Sequence, residues 1–531
     1  MIYTSERTDF KLEIPDVSIT EYALRHADRL ADKPALIDGP SGRTLTYGQL
    51  AGGIKKVAGG LYARGFRKGD VLAIYCPNMP EYALVFNAVA SVGGINTTVN
   101  PLYTAAELAK QLNDSKAKFL VTVPPFLDKA LEAANNSLVE EVFVFGDAEG
   151  ASSFSELLST EQPAPVVAID PKNDLVVLPY SSGTTGLPKG VMLTHHNLVA
   201  NLCQVDGLEE EKRMGEDEII LAMLPFFHIY GMIVVMKLAL AGGATVVSMP
   251  RFDMEEFLGL VQRYKATTLP LVPPVVLGLA KSPLVDQFDL SSVKTIFCGA
   301  APLGRELSME TSQRIGCPVT QGYGMTEASP VTHLSSMDPE KSREGAIGKV
   351  IPDTEVRLVD VKSGKDCAQG EDGELWIRGP QIMRGYLNQP EETAECIDTE
   401  GWYHTGDVGY VDEDGFFFIV DRVKELIKYK AMQVSPAELE ALLVTHPEIL
   451  DTAVIPCPDE EAGEIPKAIV VLKDPASASD ELAEKIMAFV ADNVAPHKRV
   501  RLLDFAEQIP KSASGKILRR VLVEAERSRS T

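Results

Sequence analysis

From residue 71 onward, short apolar runs alternate with segments of helical character, and this alternation leaves the chain few folds. Residues 71–76 read as a buried strand, 81–91 as a helix, 95–99 as a strand, 105–113 as a helix, and 119–123 and 142–145 as strands. The apolar runs recur at 175–178, 218–224, 244–248 and 295–298. Parallel strands need a crossover of a dozen residues or more, and intervening helices supply it. The class expected is therefore α/β, with a largely parallel sheet and no repeat of solenoid period.

After Gly345 the texture changes. Residues 355–359, 373–378, 408–411 and 416–420 read as short strands between Gly/Asp turns, with Asp414-Gly415 as a hairpin signal. This predicts a β-rich subdomain over 345–423. Beyond Asp421-Arg-Val-Lys424, segments 436–443, 453–456, 468–472, 483–493 and 500–505 alternate as a small α+β domain. The expected division is a large N-terminal domain, 1–423, and a small C-terminal one, 424–531. A length of 531 residues is ample for two.

Bulk properties exclude some functions. A net charge of −24 disfavours sequence-independent binding to nucleic acid or anionic membrane. Seven cysteines, an odd number with no Cys-x-x-Cys pair, argue against a disulfide framework or zinc site and for a reducing compartment. The apolar region 232–249 is broken by Lys237, Gly242 and Gly243, so it reads as a buried helix and a strand rather than a membrane span. The start shows no basic-then-apolar leader pattern, and the end, Ser-Arg-Ser-Thr531, is not a peroxisomal tripeptide. The expectation is a cytoplasmic monomer or homodimer.

Chemistry concentrates in five strings. The first is Tyr180-Ser-Ser-Gly-Thr-Thr-Gly-Leu-Pro-Lys-Gly190. Glycines allow close backbone approach, successive N–H groups and hydroxyls form an anion nest, and Lys189 adds charge, a set suited to a polyphosphate. It is not a P-loop, because Pro188 precedes the lysine and Gly190 follows it. The second, Gln321-Gly-Tyr-Gly-Met-Thr-Glu-Ala-Ser-Pro330, offers the Tyr323 ring for stacking, with Thr326 and Glu327 for phosphate and a hard cation. A core tyrosine beside a solvated glutamate is the plainer reading. The third, Tyr403-His-Thr-Gly-Asp407, puts a carboxylate after a glycine turn and ahead of a strand, suited to ribose hydroxyls or to capping a turn. The fourth runs from Asp421 through Lys428 and Gln433 to Glu440, and the fifth is Pro510-Lys-Ser-Ala-Ser-Gly-Lys516-Ile-Leu-Arg-Arg520.

Together, in this order and at this spacing, the five strings resemble the adenylate-forming superfamily of acyl-CoA synthetases, luciferases and adenylation domains. The resemblance covers essentially the whole chain. Pro225-Phe-Phe-His-Ile-Tyr-Gly231, Gly299-Ala-Ala-Pro302 and Gln433 look most like the 4-coumarate–CoA ligase branch. It implies an ATP-dependent acid–CoA ligase that forms acyl-AMP and pyrophosphate, then acyl-CoA and AMP, with ATP, Mg²⁺ and coenzyme A as cofactors. Carried over residue by residue, Ser181, Ser182, Gly183, Thr184, Thr185, Gly186 and Lys189 hold the β- and γ-phosphates. Thr326 meets the α-phosphate, and Glu327 ligates Mg²⁺. Gly299, Ala300, Ala301, Gln321, Gly322, Tyr323 and Gly324 line the adenine site, while Asp407 and Arg422 bind ribose. Lys516 bridges carboxylate and phosphate. The resemblance makes Lys424 a hinge about which the small domain swings, replacing Lys516 by the face carrying Lys428 and Gln433.

For the acid, the resemblance assigns His228, Tyr230, Gly231, Val234, Phe297, Ala300, Gly324, Pro330 and Val331. For coenzyme A it assigns Arg251, Lys430 and Ala431. This apolar, aromatic pocket, shortened by Phe297 and Val234, leans to a hydroxycinnamate-like aryl acid or a medium-chain fatty acid. One departure is Ala431, where the family carries a glycine lining the thiol tunnel. Two readings stand: a methyl there narrows the tunnel or restricts the loop and slows transfer to coenzyme A, or it is a harmless substitution. Long-chain fatty acid ligation, luciferase-like oxygenation, acyl transfer to a carrier protein and nucleotide binding without turnover stay open as alternatives.

Overall fold

The computed structural model describes residues 1–6, 12–181, 188–207, 214–301, 303–430, 432–459, 461–512 and 515–529, with the backbone alone at Pro339 and Gln433. It confirms a mixed α/β fold with a large N-terminal and a small C-terminal domain, but the large domain holds two extensive sheets where the alternation predicted one.

In the first sheet, Leu175–Ser181, Ile95–Thr98, Val71–Tyr75, Ala117–Thr122, Glu141–Val144 and Ser152–Ser153 are neighbours in that order, all parallel. Lys189–Gly190 closes one edge antiparallel. The Val71–Tyr75 strand is buried at every position, as expected of a strand covered on both faces. Helices Pro80–Ser91, Ala105–Ser115 and Leu127–Asn135 make the crossovers. A Thr104–Glu107 capping box starts the second of these, satisfying helix-end N–H groups that would otherwise lack partners.

The second sheet is parallel from Val319–Gly324 through Thr295–Cys298, Thr268–Leu271, Ile219–Ala222 and Thr245–Ser248 to Pro34–Asp38. Antiparallel strands flank it, Val331–Leu334 on one side and Thr44–Thr46 on the other. One large apolar core joins both sheets and the helices packed on them. The broken apolar region sits inside it: a π-helix, Tyr230–Lys237, runs into the helix Leu238–Gly242 and then the strand Thr245–Ser248. Lys237 does not interrupt the burial. Its Nζ donates to Asn87 Oδ1 at 2.6 Å and lies 4.1 Å from the Phe86 ring centre. Burial holds its pKa well below that of an ordinary lysine. No helix among the described residues is long and apolar enough to cross a membrane.

The β-rich subdomain is an antiparallel sheet of Glu355–Val359, Gly373–Arg378, Tyr403–Val411 and Phe417–Arg422, with Tyr3–Thr4 on its outer edge. Asp414-Gly415 does make the hairpin between the last two strands, with Gly415 at φ +81°. In the small domain, Ile449–Asp459 and Gly463–Leu472 form a long antiparallel pair, flanked by Leu502–Phe505 and by the short hairpin Ile427–Tyr429 with Met432–Val434. Apolar clusters cover both faces of this sheet, one of them built with the helices Pro436–Leu443 and Asp480–Asn493. The expected strand at 453–456 is only the middle of an eleven-residue one.

Candidate active site

In open α/β sheets, ligands bind beyond the carboxyl ends of parallel strands. Both large-domain sheets aim those ends at one place. From the second sheet, Ile219–Ala222 leads to His228, Thr268–Leu271 to Val272, Thr295–Cys298 to Gly299–Ala301, and Val319–Gly324 ends on Tyr323 and Gly324. From the first sheet come Ser181, at a strand's end, and two braces. Asn78 donates to Ala222 O at 3.0 Å and Leu224 O at 2.7 Å and accepts from Phe226 N at 2.7 Å. Thr98 Oγ1 donates to Phe227 O at 2.8 Å. These bonds fix the segment that presents His228.

Lys189 pairs with Ser181 in the antiparallel register, so the residues bracketing the Gly/Ser/Thr loop stand side by side. Ser182, Gly183, Thr184, Thr185 and Gly186 lie outside the described residues. Ser181 Oγ donates to Glu327 Oε1 at 3.0 Å, and Tyr386 OH donates to the same oxygen at 2.9 Å. Glu327 is 8% exposed, on the turn Thr326–Ala328 that also carries Thr326. Lys189 Nζ lies 5.0 Å from the centre of the Tyr386 ring and forms an ion pair with Glu392. Tyr386 and Glu392 carried no sequence signal beyond an aromatic residue after a glycine and a glutamate in an acidic run.

A second cluster adjoins the first. Tyr323 OH donates to Asp407 Oδ2 at 2.6 Å, and Arg422 Nε lies 3.1 Å from Asp407 Oδ1. Asp407 and Arg422 are register partners on adjacent strands. Asp407 sits within the strand Tyr403–Val411 rather than ahead of one, and Tyr323 lies in the strand Val319–Gly324. Burial and the Asp407 charge push the Tyr323 phenol far above its usual pKa, so it remains a donor. Gln321 Oε1 accepts from Leu303 N at 3.3 Å, and Ala300 takes a left-handed φ of +71°.

Lys516 comes to this place from the small domain. Its loop packs on the large domain at Gly515, whose Cβ position lies 3.3 Å from Val272 Cγ2. Burial chiefly, then the Arg422 charge, lower the Lys516 pKa, while Asp407, Glu327 and Glu425 oppose them. His228 is pushed down to about 3, first by burial and then by the Lys516 charge. Its Nδ1 accepts from Tyr230 N at 3.3 Å, so the neutral ring carries its proton on Nε2.

Beside His228 the residues assigned to the acid form a compact group. Tyr230 OH donates to Phe297 O at 3.0 Å, and the two rings meet edge to face at 5.8 Å. A Cβ on Gly322 would lie 2.7 Å from Phe297 Cζ and 2.9 Å from Leu334 Cδ1. One on Gly324 would lie 2.0 Å from Pro330 O and 3.0 Å from Val331 Cα. Gly231 is equally confined, by Pro225 O, and Val234 is buried on the same π-helix.

Four assigned residues, Lys428, Lys430, Arg251 and Lys424, are exposed outside this assembly. Lys428 is exposed on the small domain's hairpin, facing Gln433 in register. Lys430, at φ +52°, pairs with Glu461 at 2.8 Å. Ala431 and the Gln433 side chain lie outside the described residues. Arg251 is exposed on the loop after Thr245–Ser248, and Lys424 is exposed between the strands Phe417–Arg422 and Ile427–Tyr429. A groove of about 740 Å³ runs beside Lys430, lined among others by Tyr429, Met432, His497, Arg499 and Arg501. The run Pro496-His-Lys-Arg-Val-Arg501, basic within an acidic chain, is a sequence signal for it that lies outside the five strings.

Among the described residues, no three His, Cys, Asp or Glu side chains gather as a metal site. The donor set fits a cation held by one buried carboxylate and the oxygens of a phosphate ligand, as Mg²⁺ is commonly held.

Comparison with known proteins agrees with this geometry. A family model described as AMP-binding enzyme matches residues 24–387, and one described as AMP-binding enzyme C-terminal domain matches 438–516. The chain is 44% identical to 4-coumarate–CoA ligase 2 of Petroselinum crispum over 527 residues, 97% of this chain and 96% of that protein. Identity to 4-coumarate–CoA ligase of Pinus taeda is also 44%, over 97% of each chain. Among solved structures, an anthranilate CoA ligase in complex with anthranoyl-AMP superposes with a TM-score of 0.89 at 28% identity, covering 98% of this chain and 99% of the other. A benzoate CoA ligase from Burkholderia xenovorans gives 0.85 at 26% identity, covering 95% and 99%.

Proposed function

From the premise that this chain belongs to the AMP-binding enzymes, we infer that it is an ATP-dependent carboxylic acid–CoA ligase. An acid and ATP give acyl-AMP and pyrophosphate, and coenzyme A then displaces AMP. The observation that carries the chemistry is the arrival of Lys516 among Asp407, Arg422, Glu327 and His228.

In the first step charge builds between a carboxylate and the α-phosphate, and pre-placed cations and donors are the main means of stabilising it. Lys516 places its ammonium there on a loop packed against Val272. Asp407 and Arg422 hold the ribose, and Tyr323 presents its ring to adenine while its hydroxyl orients Asp407. Thr326 binds the α-phosphate, and Ser181 with Lys189 receives the outer phosphates. His228, neutral with its proton on Nε2, offers a donor to the acid without competing with Lys516 for charge. Glu327 would hold Mg²⁺, which neutralises phosphate charge when bound. For the second step the small domain turns about Lys424, exchanging Lys516 for the hairpin of Lys428 and Gln433. The groove beside Lys430 offers Arg499 and Arg501 to the phosphates of coenzyme A, with Arg251 contributing from the large domain.

The acid proposed is a hydroxycinnamate-like aryl acid. The 44%-identical 4-coumarate–CoA ligases support this, as do the Tyr230–Phe297 edge and the close fit of Gly322 against Phe297 and Leu334, which favour a flat ring over a flexible chain. AMP release with coenzyme A should be measured for cinnamates, benzoates and fatty acids of graded length. The highest kcat/KM should fall on a hydroxycinnamate. A maximum on a fatty acid would reject the substrate assignment while leaving the reaction intact.

A further inference from the structure

Lys189, enclosed at 14% side-chain exposure, has a partner that no motif marked. Glu392 lies in the first turn of the short helix Pro390–Cys396, and its carboxylate, 44% exposed, pairs with the Lys189 ammonium. The helix is anchored. Tyr386 N donates to Thr393 Oγ1 at 2.8 Å, and that hydroxyl donates to Gln389 O at 2.8 Å. Tyr386 in turn borders Lys189 with its ring and donates from its hydroxyl to Glu327. The polar chain Ser181–Glu327–Tyr386–Lys189–Glu392 is therefore continuous. One end lies in the crevice and the other at solvent.

We propose that Glu392 is a built-in competitor for Lys189, a carboxylate that the outer phosphates of ATP displace on binding and that retakes the lysine as pyrophosphate leaves. The proposal rests on Lys189 being the phosphate-binding cation. A polyphosphate carries more charge than one carboxylate and prevails when bound, but its net affinity is lowered by whatever the internal pair was worth. For a partly exposed ion pair that is a factor of about 1.5 to 5. The effect is selective. Ligands that reach Lys189, ATP and pyrophosphate, feel it. AMP, whose single phosphate belongs beside Thr326, does not. Glu392 thus weakens product inhibition by pyrophosphate as much as it weakens substrate binding.

The test measures KM for ATP and inhibition constants for pyrophosphate and AMP in the full-length enzyme carrying Glu392→Gln. Expected is a fall of about 1.5- to 5-fold in the ATP and pyrophosphate constants with the AMP constant unmoved. Glu391→Gln, an exposed carboxylate one residue away, serves as the control for general charge and should move all three little. Equal shifts in all three constants, or equal shifts from Glu391→Gln, would mean a diffuse field effect and overturn the proposal. Lys189→Met separates its failure from that of the underlying reading. If Lys189→Met leaves the ATP and pyrophosphate constants unmoved, the phosphate role of Lys189 is wrong. If Lys189→Met weakens both while Glu392→Gln changes neither, the competitor role alone is wrong. In a Lys189→Met background, Glu392→Gln should do nothing.

Discussion

Replacing Tyr323 by phenylalanine removes one oxygen and leaves the ring in place. That oxygen donates to Asp407 at 2.6 Å, and Asp407 is 7% exposed, so the bond is short, charge-assisted and shielded from water. Such bonds are worth about 1.5–3 kcal/mol net, because the carboxylate left behind loses a donor it cannot replace from solvent. Arg422 still holds the other oxygen at 3.1 Å, so Asp407 loses one of its two fixed partners and keeps the other. About half of the bond energy should therefore appear as lost ribose binding, about 0.8–1.5 kcal/mol, or a rise of about 4- to 13-fold in KM for ATP. Stacking on adenine survives, so kcat should change less than 2-fold, an order-of-magnitude expectation for lost ground-state binding alone. The assay is steady-state pyrophosphate release with ATP and with 2′-deoxy-ATP. The wild type should favour ATP, and Tyr323→Phe should narrow that preference. An unchanged KM for ATP together with an unchanged preference over 2′-deoxy-ATP would refute the placement of ribose on Asp407.

Two further outcomes follow from packing and burial. Gly324→Ala would put a Cβ 2.0 Å from Pro330 O, a backbone atom that cannot swing aside, so the loop must shift by a strain of about 1–3 kcal/mol. Activity should fall about tenfold or more with every acid, and wild-type rates would contradict the tight approach. His333 is fully buried, and burial pushes it down to about 3, so the folded state keeps it neutral while the unfolded chain protonates it below about 6.5. Its contribution is whole above that pH and is lost as pH falls toward the folded value, about 2 kcal/mol between pH 6.5 and 5. Urea midpoints at pH 7 and 5 should show the wild type losing that much more than His333→Leu, and parallel losses in both would be inconsistent with a buried neutral imidazole.

What could be read from the sequence was what is local. Asp414-Gly415 needs only the two strands beside it, and the alternation from residue 71 needs only the neighbouring helices. Lys189, Glu327, Asp407, Arg422 and Lys516 were legible because each sits in a long string whose glycines and hydroxyls restrict what the backbone can be doing. Long-range pairing was not legible. Pro34–Asp38 joins Thr245–Ser248, and Tyr3–Thr4 joins Glu355–Val359, across separations that periodicity does not encode. Lys237 looked like a break in an apolar run because nothing near it in sequence reveals Asn87 as its acceptor. Tyr386 and Glu392 were invisible for the same reason, since each acquires its meaning from Lys189, about two hundred residues earlier. The hairpin bearing Lys428 has strands of three residues each, too short to show alternation.

The central claim is that Lys516, carried in by the small domain, serves acyl-adenylate formation and not transfer to coenzyme A. The most direct measurement follows the two half-reactions separately in single-turnover experiments on wild type and Lys516→Ala, with adenylation started from ATP and acid, and transfer started from supplied acyl-adenylate and coenzyme A. Loss of a positioned transition-state charge should slow adenylation about 10²- to 10³-fold and leave transfer within about 2-fold of wild type. Equal slowing of both steps, or an adenylation rate that survives the substitution, would contradict it.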